Sequence, residues 1–92
     1  MILSWKHKGL ERFSKTGNKS GILPAHEKRL KIILQRLNAA ITANDMNTPG
    51  MDFHPLTGKL KGHYSVSVNG NWRVIFRFCD ENVLDVNDID YH

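Results

Sequence analysis

Two kinds of hydrophobic repeat divide the chain. Leu30, Ile33, Leu34, Leu37 and Ile41 recur at steps of three and four or of one, an apolar stripe along one helix face. Lys28, Arg29, Lys31, Gln35, Arg36 and Asn38 fill the rest of the circumference, a basic face that could meet RNA or an acidic protein or simply be solvated. The spacing predicts a helix over residues 24–43. Pro24 loses nothing in a first turn, and residues 44–50 are turn-forming. Beyond residue 63 the period drops to two. Tyr64, Val66 and Val68 alternate with Ser65, Ser67 and Asn69, and Trp72, Val74, Phe76 and Phe78 alternate with Arg73, Ile75, Arg77 and Cys79. Asn69-Gly70-Asn71 between them reads as a hairpin turn. Paired residues share a face, so a three-residue loop opposes Val68 with Trp72, Val66 with Val74 and Tyr64 with Phe76. A two-residue loop would set serines against that apolar face, so the longer loop is expected. Ser65, Ser67, Arg73, Ile75 and Arg77 then form a second face, half polar and accessible.

The remaining elements are shorter. Residues 2–5 read as an opening strand, Leu10, Arg12 and Phe13 as a helix of about two turns, and residues 16–21 as a loop. His54 and Pro55 fall in a loop entering the sheet. A last strand uses Val83, Leu84 and Val86, with a bulge or bend near Asn87-Asp88 before Ile89. The order β-α-α-β-β-β predicts an α+β fold, two N-terminal helices packed on one face of a small antiparallel or mixed sheet. Residues 1–92 are expected to form a single domain.

Composition narrows the class. A hydrophobic share of 40% and a mean hydropathy of −0.42 exclude a disordered tail, and apolar runs of three residues or fewer exclude a membrane span. No basic start leads into an apolar stretch, so the expected location is cytoplasmic. The single cysteine, Cys79, excludes an internal disulfide and a cysteine metal cluster, and no histidine pair has metal-ligand spacing. Neither metal nor cofactor is expected. The net charge of +4 is unevenly placed. Residues 1–79 hold all thirteen bases and four acids, whereas Asp80, Glu81, Asp85, Asp88 and Asp90 form an acidic end without a base. A basic body points to a polyanionic partner.

Three features suit chemistry on RNA. His54 precedes Lys59, Lys61 and His63; Arg73 and Arg77 share the less apolar sheet face; and the chain ends in Asp90-Tyr91-His92. Cleavage of an RNA backbone needs a base for the 2′-OH proton, an acid for the leaving 5′-oxygen and cations for charge growing on phosphorus. Histidine serves either proton role, arginine forks onto phosphate oxygens, and an aromatic ring stacks on an unpaired base.

The same residues resemble a known family. His54-Pro55-Leu56, Gly62-His63-Tyr64-Ser65-Val66, Gly70-Asn71-Trp72-Arg73 and the terminal Asp88-Ile89-Asp90-Tyr91-His92 resemble the HigB toxins of the RelE-like superfamily. Trp5-Lys6-His7-Lys8-Gly9-Leu10 and Ser20-Gly21 are similar too, so the likeness covers essentially the whole chain. It implies a type II toxin, an endoribonuclease that cuts mRNA in the A site of the 30S ribosomal subunit and blocks translation. The reaction would need no metal and leave a 2′,3′-cyclic phosphate. The implied partners are the ribosome, mRNA and a HigA-like helix-turn-helix antitoxin. DNA would be met only through the antitoxin complex, and no membrane is involved. Carried over by position, the catalytic residues are His54, Arg73, Asp90, Tyr91 and His92. Asp90 or His54 would assist the 2′-OH proton, His92 would serve as acid and Tyr91 would stack a base. Arg73 would hold the scissile phosphate, with Lys59, Lys61 and Arg77 on RNA phosphates. One departure concerns Thr57, where relatives often carry lysine; Lys59 or Lys61 would then supply that charge. Two alternatives keep the fold: a toxin acting on a protein target such as gyrase, and a non-catalytic RNA- or ribosome-binding domain.

Overall fold

The computed structural model describes residues 1–90. Helix α1 (Lys8–Thr16) starts where the His7 imidazole accepts from the backbone N–H of Leu10 at 2.9 Å, and stops at Gly17, whose φ of 79° suits glycine. Helix α2 (Glu27–Ala39) buries Leu30, Ile33, Leu34 and Leu37, as the stripe predicts. It is shorter than predicted at both ends. Residues 24–26 make a tighter 3-10 turn at Pro24. After Ala39, the Thr42 and Asp45 side chains form a capping box that starts a separate turn, Ala43–Met46. Ile41 is therefore off the helix and 57% exposed, while Ala40 and Met46 take its place in the core.

Four antiparallel strands follow in the order β1 (His54–Pro55), β2 (His63–Asn69), β3 (Trp72–Cys79) and β4 (Asn82–Asp90). Tyr64 faces Phe76 and Val66 faces Val74, the register that parity demands. The predicted three-residue loop is instead a two-residue turn, with Asn69 paired to Trp72. An irregularity between Ser67 and Asn69 absorbs the extra residue, so the apolar positions keep their side. His54 and Pro55 are also not loop but a short edge strand, paired with Ser65 and Tyr64.

The irregularity in β4 comes earlier than predicted. Arg77 faces Leu84 but Ile75 faces Asn87, so Phe76 alone opposes Asp85 and Val86, and Asp85 adopts a φ of 56°. This bulge also explains the opening residues. They do not form a strand but touch β4 in parallel at two isolated bridges, Ile2 with Val83 and Trp5 with Val86. Between the bridges Ser4 Oγ accepts from the Asp85 backbone N–H at 2.8 Å and donates to its carboxylate at 3.3 Å. The side chain thus serves where the bulge interrupts the ladder.

The core lies between the helices and one sheet face, centred on Phe76, Leu10, Leu30, Ile33 and Leu37. Among the described residues no helix is long and apolar enough to cross a membrane. One backbone crossing fixes the loop before α2 against α1. A Cβ at Gly21 would lie 2.4 Å from the Gly9 Cα, and one at Gly9 would lie 2.6 Å from the Gly21 carbonyl oxygen. Since the obstacle is backbone on both sides, Gly21→Ala is expected to destabilise the fold by about 2 kcal/mol. Thermal melts would show a midpoint lower by roughly 10 °C, with the exposed neighbour Ser20→Ala unchanged as control. An unaltered midpoint for Gly21→Ala would mean that the crossing yields.

Candidate active site

The sheet face turned away from the helices brings two of the expected residues together through a third. Asp52, in the segment before β1, takes Nε2 of His54 on one carboxylate oxygen at 3.1 Å and Nη1 of Arg73 on the other at 3.0 Å. Nη2 of Arg73 donates to the Asp52 carbonyl, and its Nε donates to Ser65 Oγ at 2.8 Å. The guanidinium is thus held at three of its five N–H groups, the other two having no partner among the described residues. The Arg73 side chain is 14% exposed, while His54 and Asp52 stand largely in solvent. The guanidinium holds the Asp52 carboxyl below the usual carboxylate range, the imidazole adding to this. A fixed carboxylate between imidazole and guanidinium orients both.

Local backbone places Asp52. Its φ is 49°, uncommon for a residue with a side chain, and the segment around it is tied down on both sides. Ser67 N–H donates to the Met51 carbonyl at 2.8 Å, and Met51 is buried. Arg29 reaches across from α2, donating to the Ser67 carbonyl at 3.1 Å and to the Gly50 carbonyl. Arg36 similarly donates to Thr48 Oγ1 at 2.8 Å. Two residues of the basic helix face are therefore braces for the segment carrying Asp52, while Lys28 and Lys31 remain exposed.

The face is less open than its sequence implies. Ser65 is 1% exposed because Arg73 lies across it, and Ile75, flanked by Arg73 and Arg77 along β3, is 4% exposed. Arg77 sits four residues from Arg73, about 13 Å along the strand. Its Nε is 3.4 Å from Asp85 Oδ2. Lys59 and Lys61 lie on the connection between β1 and β2, at the Arg77 end, because His63 pairs with Arg77. Both are exposed, and neither makes an ion pair among the described residues. Nδ1 of His63 is 3.1 Å from the Leu60 carbonyl in the same connection.

Asp90 is not brought to the cluster. Ile89 pairs with Arg73 and Asp90 with Trp72, so alternation directs Asp90 to the helix side of the sheet. Tyr91 and His92, also expected in the site, lie outside the described residues. The acids of the terminal segment do not act as one feature either: Asp85 serves Ser4 and Arg77, Asp88 is buried, and Asp90 lies opposite Trp72. Asp52 is the residue that the sequence reading missed. The available signal was its position two residues before His54. Among the described residues no three His, Cys, Asp or Glu side chains converge as metal ligands would.

Comparison with known proteins decides the family. Residues 3–92 match the model of the HigB-like toxins, RelE-like toxins of the type II toxin-antitoxin system HigB. The chain belongs to this family. It is 35% identical over 92 residues to the endoribonuclease HigB of Proteus vulgaris, covering all of both chains. It is 37% identical over 87 residues to toxin HigB-1 of Vibrio cholerae serotype O1, covering 92% of each. Solved structures share the fold at low identity. YoeB of Staphylococcus aureus, in its heterotetrameric complex with YefM, has a TM-score of 0.63 at 15% identity, covering 100% of this chain and 98% of the other. YafQ from E. coli has a TM-score of 0.58 at 17% identity, covering 96% and 91%. The α+β fold expected of a HigB toxin is thus the fold this chain has, and a toxin-antitoxin family brings with it an antitoxin.

Proposed function

We propose that this HigB family member is a ribosome-dependent endoribonuclease that cuts mRNA in the ribosomal A site, acting as one domain over residues 1–92. The observation that carries the reading is the Asp52-centred cluster of His54 and Arg73, in a chain whose Proteus vulgaris relative is named an endoribonuclease. The two free N–H groups of Arg73 take the scissile phosphate and stabilise charge growing on its oxygens. His54, held by Asp52, accepts the 2′-OH proton as that oxygen attacks phosphorus. The P–O5′ bond breaks, leaving a 2′,3′-cyclic phosphate, and His92 supplies the proton to the 5′-oxygen. Tyr91 stacks on a base beside it. Lys59, Lys61 and Arg77 extend the cationic path along the RNA at the other end of the same sheet face. No metal enters these steps. The site is shallow and mostly solvated, so substrate positioning falls to the ribosome, and the free protein is a weak nuclease. A helix-turn-helix antitoxin of HigA type neutralises the toxin.

Expression in growing bacteria with primer extension on a reporter mRNA tests this. New 5′ ends should appear inside translated codons, vanish when the reporter's start codon is removed, and vanish again when the antitoxin is co-expressed. Growth arrest with intact transcripts would overturn the nuclease and favour a protein target such as gyrase.

A further inference from the structure

On the helix side of the sheet, away from the Asp52 cluster, one buried carboxylate has an oxygen with no partner among the described residues. Asp88 on β4 is 7% exposed, and its Oδ1 accepts no hydrogen bond among the described residues. It lines a cavity of about 290 Å³ together with His7, the loop from Ser20 to Leu23 and Trp72. Ser20 and Leu23 in its lining are exposed. The Gly9–Gly21 crossing fixes that loop, and the His26 imidazole backs the indole edge-on at 5.5 Å. The walls are therefore held in place.

The chemistry of the lining is that of a cation receptor. A buried carboxylate is stable only when paired, and no lysine or arginine of the described chain lines this cavity. His7, also in the lining, already uses Nδ1 to cap α1. An aromatic face beside a carboxylate attracts a cation from two directions, and a planar guanidinium both stacks on indole and forks onto carboxylate oxygens. We propose that the Trp72–Asp88 cavity receives the guanidinium of an arginine side chain presented by a protein partner. Burial pushes the Asp88 carboxyl up to about 6, which leaves it ionised, and able to hold a cation, at neutral pH.

Two-dimensional ¹H–¹⁵N spectra of the full chain test this, read at the Trp72 indole N–H and assigned with Trp5→Phe. The probes are a blocked Gly-Arg-Gly tripeptide, its citrulline counterpart and methylguanidinium. A saturable shift with the arginine peptide is expected, at least as tight as methylguanidinium and at least tenfold tighter than the neutral citrulline peptide. Asp88→Asn should weaken the arginine peptide by at least tenfold while keeping a folded spectrum. No saturable shift at Trp72 overturns the proposal, as does equal binding of the citrulline peptide to the unaltered chain. Binding of methylguanidinium without the arginine peptide overturns the protein side chain as its source. Since neither Trp72 nor Asp88 belongs to the proposed nuclease cluster, these outcomes are independent of whether the chain cuts RNA.

Discussion

Arg73→Ala is expected to lower ribosome-dependent mRNA cleavage by about 10²–10³-fold, the loss typical when one preorganised donor to a developing anion is removed. Arg73 is the least exposed cation of the cluster, and its three fixed hydrogen bonds mean that no ordering is required when phosphate arrives. Arg73→Lys keeps the charge but cannot reproduce the fork onto Ser65, Asp52 and a phosphate together, so most of the loss should remain. Asp52→Asn separates orientation from charge. It keeps a side chain of the same shape while weakening the hold on His54 and Arg73, and should cost less than Arg73→Ala. Single-turnover cleavage on programmed ribosomes measures all three, with circular dichroism confirming that each variant is folded. Wild-type cleavage by Arg73→Ala would remove Arg73 from the site.

The parts of this arrangement that were legible in the sequence are those set by short-range period. Leu30 to Leu37 and the alternation from Tyr64 to Phe78 each encode a buried face locally, and the sheet register followed from matching the apolar halves. What sequence could not supply lies where one residue answers a distant one. Asp52 sits in an aperiodic segment with a left-handed backbone, and its partner Arg73 is 21 positions away. Nothing in its neighbours says that an α2 arginine will brace it. Asp85 is similar, because the bulge at that residue is stabilised by Ser4 at the other end of the chain. His54 and Arg73 stand out in the sequence by residue type and by their match to a known pattern, and the geometry adds the carboxylate between them. Net charge carries no direction, whereas alternation and the β4 bulge send Asp85, Asp88 and Asp90 to different surroundings.

Asp88→Asn is expected to stabilise the fold at neutral pH. The unfolded carboxyl titrates near 3.8, whereas burial raises the folded one to about 6. Between those values the fold keeps a proton that the unfolded chain releases. The contribution of Asp88 to stability is therefore most favourable below pH 4, falls as pH rises through about 6, and levels off above it. The full span is at most about 3 kcal/mol, and solvent screening at the cavity lowers it. Asparagine carries no charge to bury, so the variant should escape that decline and gain about 2 kcal/mol at pH 7.5, roughly 10 °C in midpoint. At pH 4 variant and parent should nearly coincide. Thermal melts of both proteins at pH 4 and 7.5 give the comparison, and parallel midpoints at the two pH values would show that Asp88 ionises in the fold without cost. A stabilising substitution at a buried native position is also informative. A chain that carries an unpaired carboxylate against an aromatic wall gives up stability there, and such concessions gather where a ligand restores the missing partner. Saturating the parent with an arginine peptide should accordingly raise its midpoint at pH 7.5, by mass action on the folded state, and leave that of Asp88→Asn in place.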